Sequence, residues 1–373
     1  MSKDSLERDT KESEEGSNIN GSKETVSRGE KIGLDVQEDE ETAKDTRVVS
    51  LQNKRHWADA FYAKCTGLRA LKKQFIASRP PKMHSSITEL NQAKCRYAEI
   101  QCTESTRVIL KQRSTFEDFI HANWMIMPDG MKYIATQGPI GIHDDATAST
   151  VGHHENSGTV DTREDFWHMV FMENVENIVM LCQYYEGTPL MRKCGEYIPK
   201  RHMRHFGNYS IYRRPETETL FDGVIHTVFE VKHKSGQSLL VNHYQVLQWP
   251  DHEAPHDHIP ILRLHRLLKS KGPTHPIVVH GSAGIGRTGT LIGLDYCSQR
   301  IALDPKLDML SLVQEMRLLR SRCVQTHEQF LFLIFCVTEL FIEDGVPRVY
   351  NMHRLPDYFK KKEEQKKAKK VEK

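Results

Sequence analysis

Residues 276 to 290 read PIVVHGSAGIGRTGT. An apolar, β-branched run ends in a glycine-rich turn, then an arginine and two threonines, the composition of a loop that wraps an anion. Backbone N–H groups in such a loop converge on a negative ligand, and the dipole of the following helix adds to the attraction. Gly284 and Gly286 permit the tight bend without a Cβ clash. Arg287 supplies a planar fork of donors able to hold two phosphate oxygens at once. Ser282, Ala283, Gly284, Ile285, Gly286 and Arg287 are therefore the candidate phosphate-binding residues. At the mouth of the loop, where a nucleophile would stand, is Gly281, which has no side chain.

Spacing excludes two other phosphate loops. A nucleotide-binding loop of the form GxxxxGK[ST] needs a lysine after its second glycine, and none is present here, which excludes an ATP or GTP site. The pattern GxGxxG occurs at 284 to 289 only as GIGRTG, with an arginine where a dinucleotide turn wants small residues.

Such a loop must be carried between a strand and a helix. Strand-like runs at KYIAT (132 to 136), NIVMLC (177 to 182), HTVFEVKH (226 to 233) and PIVVH (276 to 280) alternate with helical patterns. The helical runs are DFWHMVFMEN (165 to 174), IPILRLHRLLKS (259 to 270), TGTLIGLDYCSQRI (288 to 301), MLSLVQEMRLLR (309 to 320) and EQFLFLIFCVTELF (328 to 341). Apolar residues three and four apart give each a core face, and the mixture predicts an α/β fold. The polar stretch 141 to 160 reads as a mobile surface insertion. Its His143, His153 and His154 lack metal-ligand spacing with nearby acids or thiols.

The chain has 373 residues, 38% of them hydrophobic, and a formal charge of +2, enough for one sizeable core and too balanced to form an overall nucleic-acid footprint. Residues 1 to 50 hold 14 acids and 8 bases, net −6, and read as a disordered acidic tail. The C-terminal stretch 355 to 373 reads as a basic disordered tail, with eight lysines against three glutamates from 360 on. That tail is a solvated end, a nuclear-import signal or a contact for an acidic surface. Eight scattered cysteines without CxxC pairs, an N-terminus without an apolar core, and no run long enough to span a bilayer point to a reducing, cytoplasmic compartment.

HGSAGIGRTG resembles the signature loop of the protein tyrosine phosphatases, HCSAGIGRTG, and differs at the position of the catalytic cysteine. Further motifs follow in family order over residues 55 to 345. KCRYAEI (94 to 100) is similar to KNRYxDV, DFIHANWM (118 to 125) to DYINANYI, and YIATQGP (133 to 139) matches its counterpart. EDFWHMVF (164 to 171), IVMLC (178 to 182) and KCGEYIP (193 to 199) continue the series. WPDHEAP (249 to 255) resembles the mobile acid loop WPDHGVP, and VQTHEQF (324 to 330) resembles VQTxxQY.

The resemblance implies a single domain in which a highly twisted mixed β-sheet is flanked by α-helices on both sides. It further implies that Tyr97 stacks on a phosphotyrosine ring and that Glu99, one methylene longer than the usual aspartate, accepts from the peptide main chain. Asp251 takes the general-acid position and Gln325 the water-positioning one. Gln329 matches a second such amide, with a buried structural amide as the alternative. No cofactor or metal is implied, and HEAPHDH (252 to 258) is explained by the acid loop rather than by a metal.

A cysteine thiolate in this family attacks phosphorus, and Gly281 can neither attack nor form the phosphocysteine. Ser282 is expected to point away from the anion; Cys95 and Cys323 are expected in loops bordering the pocket, out of line for attack. Phosphate binding is a separate matter. A thiolate about 4 Å from a phosphate repels each unit of its charge by up to about 4 kcal/mol at an effective dielectric near 20, whereas glycine adds only about 0.5 to 1 kcal/mol of ordering cost. The expected function is that of a pseudophosphatase that binds a tyrosine-phosphorylated protein without hydrolysing it. The alternatives are an active phosphatase with a non-standard nucleophile, and a scaffold that no longer uses the pocket.

Overall fold

The apolar runs fold as their periods require. In the computed structural model, residues 30–64, 67–142 and 160–347 are described, together with 357, 358, 361, 364 and 365, with side chains from 43 on. The chain begins with helices α1 (Glu30–Lys64), α2 (Leu68–Ala77) and α3 (Ser86–Leu90), then strands β1 (Arg107–Ile109), β2 (Phe119–Ile126) and β3 (Lys132–Thr136). Helix α4 (Arg163–Met172) leads to β4 (Asn177–Met180), the short pair β5 (Tyr185–Glu186) and β6 (Met191–Arg192), and β7 (Met203–Phe206). Long strands β8 (Tyr209–Phe221), β9 (Val224–His233) and β10 (Ser238–Val246) precede α5 (Ile259–Lys269). The last elements are β11 (Ile277–His280), α6 (Gly286–Leu303), α7 (Met309–Leu319) and α8 (His327–Glu343). Every strand and helix predicted from periodicity is present, most with ends shifted by one to three residues.

Among the described residues, nine strands form one mixed sheet in the order β1-β2-β3-β11-β4-β10-β9-β8-β7. The four central strands β3, β11, β4 and β10 run parallel, and antiparallel strands complete both flanks. Every residue of β11 is buried, because both of its faces are covered. Ile277 and Val279 enter the larger core with α5 to α8, whereas Val278 faces the opposite core, built on Phe166, Trp167 and Val170 of α4. The same alternation places Tyr133 and Ala135 of β3 in the first core and Ile134 in the second. Helices α6 and α8 are buried around most of their circumference, which in α8 accounts for the near-continuous apolar run FLFLIFCV.

The chain divides into two units, with residue 48 onward forming the larger. Within the stretch read as a disordered tail, residues 30 to 50 are helical as part of α1. Glu, Lys, Gln and Ala there are good helix formers, a preference that net charge does not register. Residues 143–159 of the proposed insertion, with their three histidines, lie outside the described residues, as does most of 355–373. Tyr358 packs against the larger core.

Candidate functional site

Strand β11 ends at His280, and residues 281–285 turn directly into α6. The turn requires glycine at 284: its φ is +66°, and a Cβ would lie 2.0 Å from the Thr136 carbonyl oxygen. The carbonyls of the loop are all held from behind. His280 Nδ1 lies 3.1 Å from the Gly281 oxygen, Gly138 N–H donates to Ser282, and Val324 N–H donates to Ile285. Arg320, fully buried, donates to the oxygens of Ala283 (2.9 Å) and Gly284 (3.0 Å). Among the described residues, the N–H groups of Ser282 to Ile285 donate to no protein group. They are left for an anion on the open side of the loop.

That side is a cavity of about 390 Å³ lined by the whole run Gly281 to Thr288. Tyr97, Glu99, Asp251 and Gln325 also line it, so the structure brings together all the sequence candidates except Gln329. Gln329 is buried, and its Oε1 accepts from the N–H groups of Gln325 and Thr326 in a capping box at the start of α8. The structural alternative describes its placement. The Ser282 hydroxyl donates to the Lys193 carbonyl (2.9 Å) and so accepts from the Tyr97 hydroxyl (2.8 Å). It fixes the tyrosine and does not present itself as a nucleophile.

The loops that carry Cys95 and Cys323 border the pocket through Tyr97, Glu99 and Gln325, while the two cysteines are buried fillers that line none of it, with thiols pushed by burial up to about 12. A third thiol, Cys182, lies just past β4, and Cys194, His280 and Arg287 lower its pKa against the effect of burial. Cys182 is buried and does not line the cavity either.

The fork of Arg287 is already engaged. Its two terminal nitrogens donate to Glu186 Oε1 (2.7 Å) and Oε2 (2.9 Å), the Trp249 carbonyl (2.9 Å) and Asp251 Oδ1 (3.0 Å). Asp251 also pairs with Lys193 at 2.7 Å. A phosphate that takes this guanidinium must displace Asp251 or share it. Burial raises the Asp251 pKa, but Arg287, Lys193 and His252 overcome that and hold it below the ordinary carboxylate value. The acid loop is drawn over the cradle: Thr326 Oγ1 donates to the His252 carbonyl (2.9 Å) and Trp249 Nε1 to the Glu253 carbonyl (2.9 Å). Sequence reasoning missed Glu186 and Lys193. Lys193 opens the quoted motif KCGEYIP, but Glu186 sits in the β5–β6 hairpin with no local pattern to mark it.

Around Gly281 the site keeps the shape of a longer side chain. A Cβ there would meet Thr288 Oγ1 at 3.7 Å and Arg287 Nε at 3.8 Å, ordinary contacts. Thr288 Oγ1 is buried without a hydrogen-bond partner among the described residues. Behind the loop, the Tyr197 hydroxyl lies 2.7 Å from His280 Nε2 and 2.6 Å from His243 Nε2. His280 Nδ1 faces a carbonyl oxygen and so carries a proton. Burial, with His280, Arg213 and His226 adding, lowers His243 to about 3.

A sequence profile of the protein-tyrosine phosphatases matches residues 91–339. Human tyrosine-protein phosphatase non-receptor type 9 is 34% identical over 290 residues, covering 70% of this chain and 44% of that protein. Mouse non-receptor type 18 is 34% identical over 275 residues, covering 70% and 55%. Chicken receptor-type tyrosine-protein phosphatase eta is 31% identical over 266 residues, covering 70% and 17%. The chain thus spans about half or less of the length of these relatives. A structure solved for the structural basis of the PTPN18 fingerprint on distinct HER2 tyrosine phosphorylation sites superposes with a TM-score of 0.59 at 28% identity, covering 74% of this chain and 92% of that one. The cradle, its arginine and the acid loop all lie within the matched span, and the chain belongs to the protein-tyrosine phosphatase family.

Proposed function

We propose that this protein is a pseudophosphatase: a module that binds phosphotyrosine on a partner protein and shields it without hydrolysing it. The observation that carries this reading is Gly281 at the mouth of an otherwise complete cradle, with free loop N–H groups, Arg287 below and Tyr97 on the wall. Tyr97 offers its ring to an aryl group. The loop amides and Arg287 take the phosphate oxygens once Asp251 moves off the guanidinium. No thiolate then repels the dianion. Gln325 and Asp251 keep the water-positioning and general-acid positions with no covalent intermediate to act upon.

The test is calorimetric titration of a phosphotyrosine peptide into wild type, Arg287→Met and Arg287→Lys, with phosphate release followed in parallel. Arg287→Lys keeps a charge against Glu186 but loses the fork, so it separates recognition from folding. Saturable binding to wild type, competed by inorganic phosphate and lost in both folded variants, is expected. No affinity in wild type, or affinity untouched by both variants, removes the binding reading and leaves a scaffold. Steady phosphate release from wild type that disappears in Asp251→Ala establishes instead an active phosphatase with another nucleophile.

A further inference from the structure

A second cavity, of about 320 Å³, shares no lining residue with the phosphate pocket. Trp57 and Phe61 of α1, Leu71 of α2, Leu310 of α7 and Phe330 of α8 form its walls. The rings of Trp57 and Phe61 stack at 4.9 Å, and Phe330 is held from behind by Phe75 at 4.8 Å. Trp57 Nε1, the one polar atom of that ring, donates to the Leu307 carbonyl at 2.9 Å, so the indole offers the cavity only hydrocarbon. Its volume is at the small end of the range of about 300 to 1,000 Å³ that holds compact ligands.

The rim carries more positive than negative charge, two lysines against one aspartate. Lys64 and Lys306 are exposed and make no side-chain hydrogen bond or ion pair among the described residues. Asp308, the acid on this rim, is also exposed, with its carboxylate held at the start of α7. Its Oδ1 accepts from the N–H groups of Leu310 and Ser311 and its Oδ2 from the Ser311 hydroxyl, as the N-cap of α7. Exposed His56 adds a third basic group. An apolar interior beneath two unpartnered ammonium groups complements a molecule with a hydrocarbon body and one negative head.

We propose that this cavity binds a small amphiphilic anion, an aliphatic carboxylate whose chain lies against Trp57, Phe61 and Phe330 and whose head meets Lys64 and Lys306. The body excludes water from the aromatic walls, and the head restores charge balance at the rim. Neither group overlaps the residues that take phosphate.

The test titrates the full chain calorimetrically with decanoate, decanol and decylamine, all below their aggregation concentrations. Decanoate is expected to bind one per chain, at least about tenfold tighter than decanol, with decylamine weaker still. The Lys64→Glu/Lys306→Glu pair, on exposed side chains, should reduce the decanoate preference to none at an unchanged melting temperature. Ala60→Trp, which places an indole in the cavity, should abolish binding, and Ala70→Trp does the same from α2 if the first variant does not fold. Decanoate no tighter than decanol, or indifferent to both the charge swap and the filled cavity, overturns the proposal. So does a concentration-dependent dimer broken by Ala60→Trp, which gives the cavity to a second copy of the chain.

Discussion

Installing a thiol with Gly281→Cys tests whether position 281 alone accounts for the proposed lack of turnover. The new Cβ meets Thr288 Oγ1 and Arg287 Nε at 3.7 and 3.8 Å, so the backbone need not move. Its sulfur gains the unpartnered Thr288 hydroxyl as a donor, a guanidinium beside it and a helix N-terminus in front, each of which favours the thiolate. Removing a covalent nucleophile from a protease costs about a millionfold in turnover, so restoring one in an intact site should raise aryl-phosphate turnover by at least about a thousandfold. Phosphopeptide affinity should move the other way. A thiolate about 4 Å from phosphate opposes each unit of charge by up to about 4 kcal/mol at a dielectric near 20, an upper bound that loop relaxation reduces, so a weakening of about ten- to a hundredfold is expected. Gly281→Ser supplies the neutral control: similar in size, without the charge, and binding close to wild type. The assay is phosphate release from a small aryl phosphate beside calorimetric titration of a non-hydrolysable phosphonate analogue of the peptide, on proteins of matched melting temperature. A folded Gly281→Cys protein that releases no more phosphate than wild type refutes the reasoning, because the defect then lies in Arg287, Asp251 or the acid loop.

Four further outcomes follow from the same geometry. Asp251→Asn removes the carboxylate that competes for Arg287, so inorganic phosphate should bind about tenfold tighter; equal or weaker binding in calorimetry means that the carboxylate does not obstruct the cradle. Because the folded Asp251 pKa is depressed, its pairing with Arg287 and Lys193 stabilises the fold fully above the ordinary carboxylate pKa of about 4 and is lost as pH falls through the lower, folded value. Melting temperature should therefore fall more steeply in acid for wild type than for Asp251→Asn, and parallel curves exclude this linkage. Gly284→Ala should disrupt the cradle because its Cβ would lie 2.0 Å from a carbonyl oxygen at a positive φ, whereas Gly281→Ala should leave the melting temperature nearly unchanged; equal effects in thermal unfolding contradict the assigned strain. Tyr197→Phe strips the shared hydroxyl from His243 and His280 and should cost about 1 to 3 kcal/mol in urea unfolding, and a change below about 0.5 kcal/mol would falsify the network's structural weight.

The sequence by itself determined the elements and the identity of the cradle. Burial on both faces forces a near-continuous apolar run such as IVVH, and a bend as tight as that at Gly284 leaves no room for a Cβ, so both are written in local residue types. The vacancy at 281 is legible for the same reason, as one letter in a motif. Net charge misled over 30 to 50, because helix propensity depends on residue type rather than on balance of charge. What only the tertiary structure decided is which charges meet. Glu186 reaches Arg287 from a hairpin about 100 positions away in sequence, Lys193 joins it on Asp251, and Arg320 holds the loop carbonyls from beyond α7. No local pattern predicts such pairings, because their strength depends on distance and burial. The same holds for Thr288, whose unpartnered hydroxyl against the empty space at Gly281 is a fact of packing.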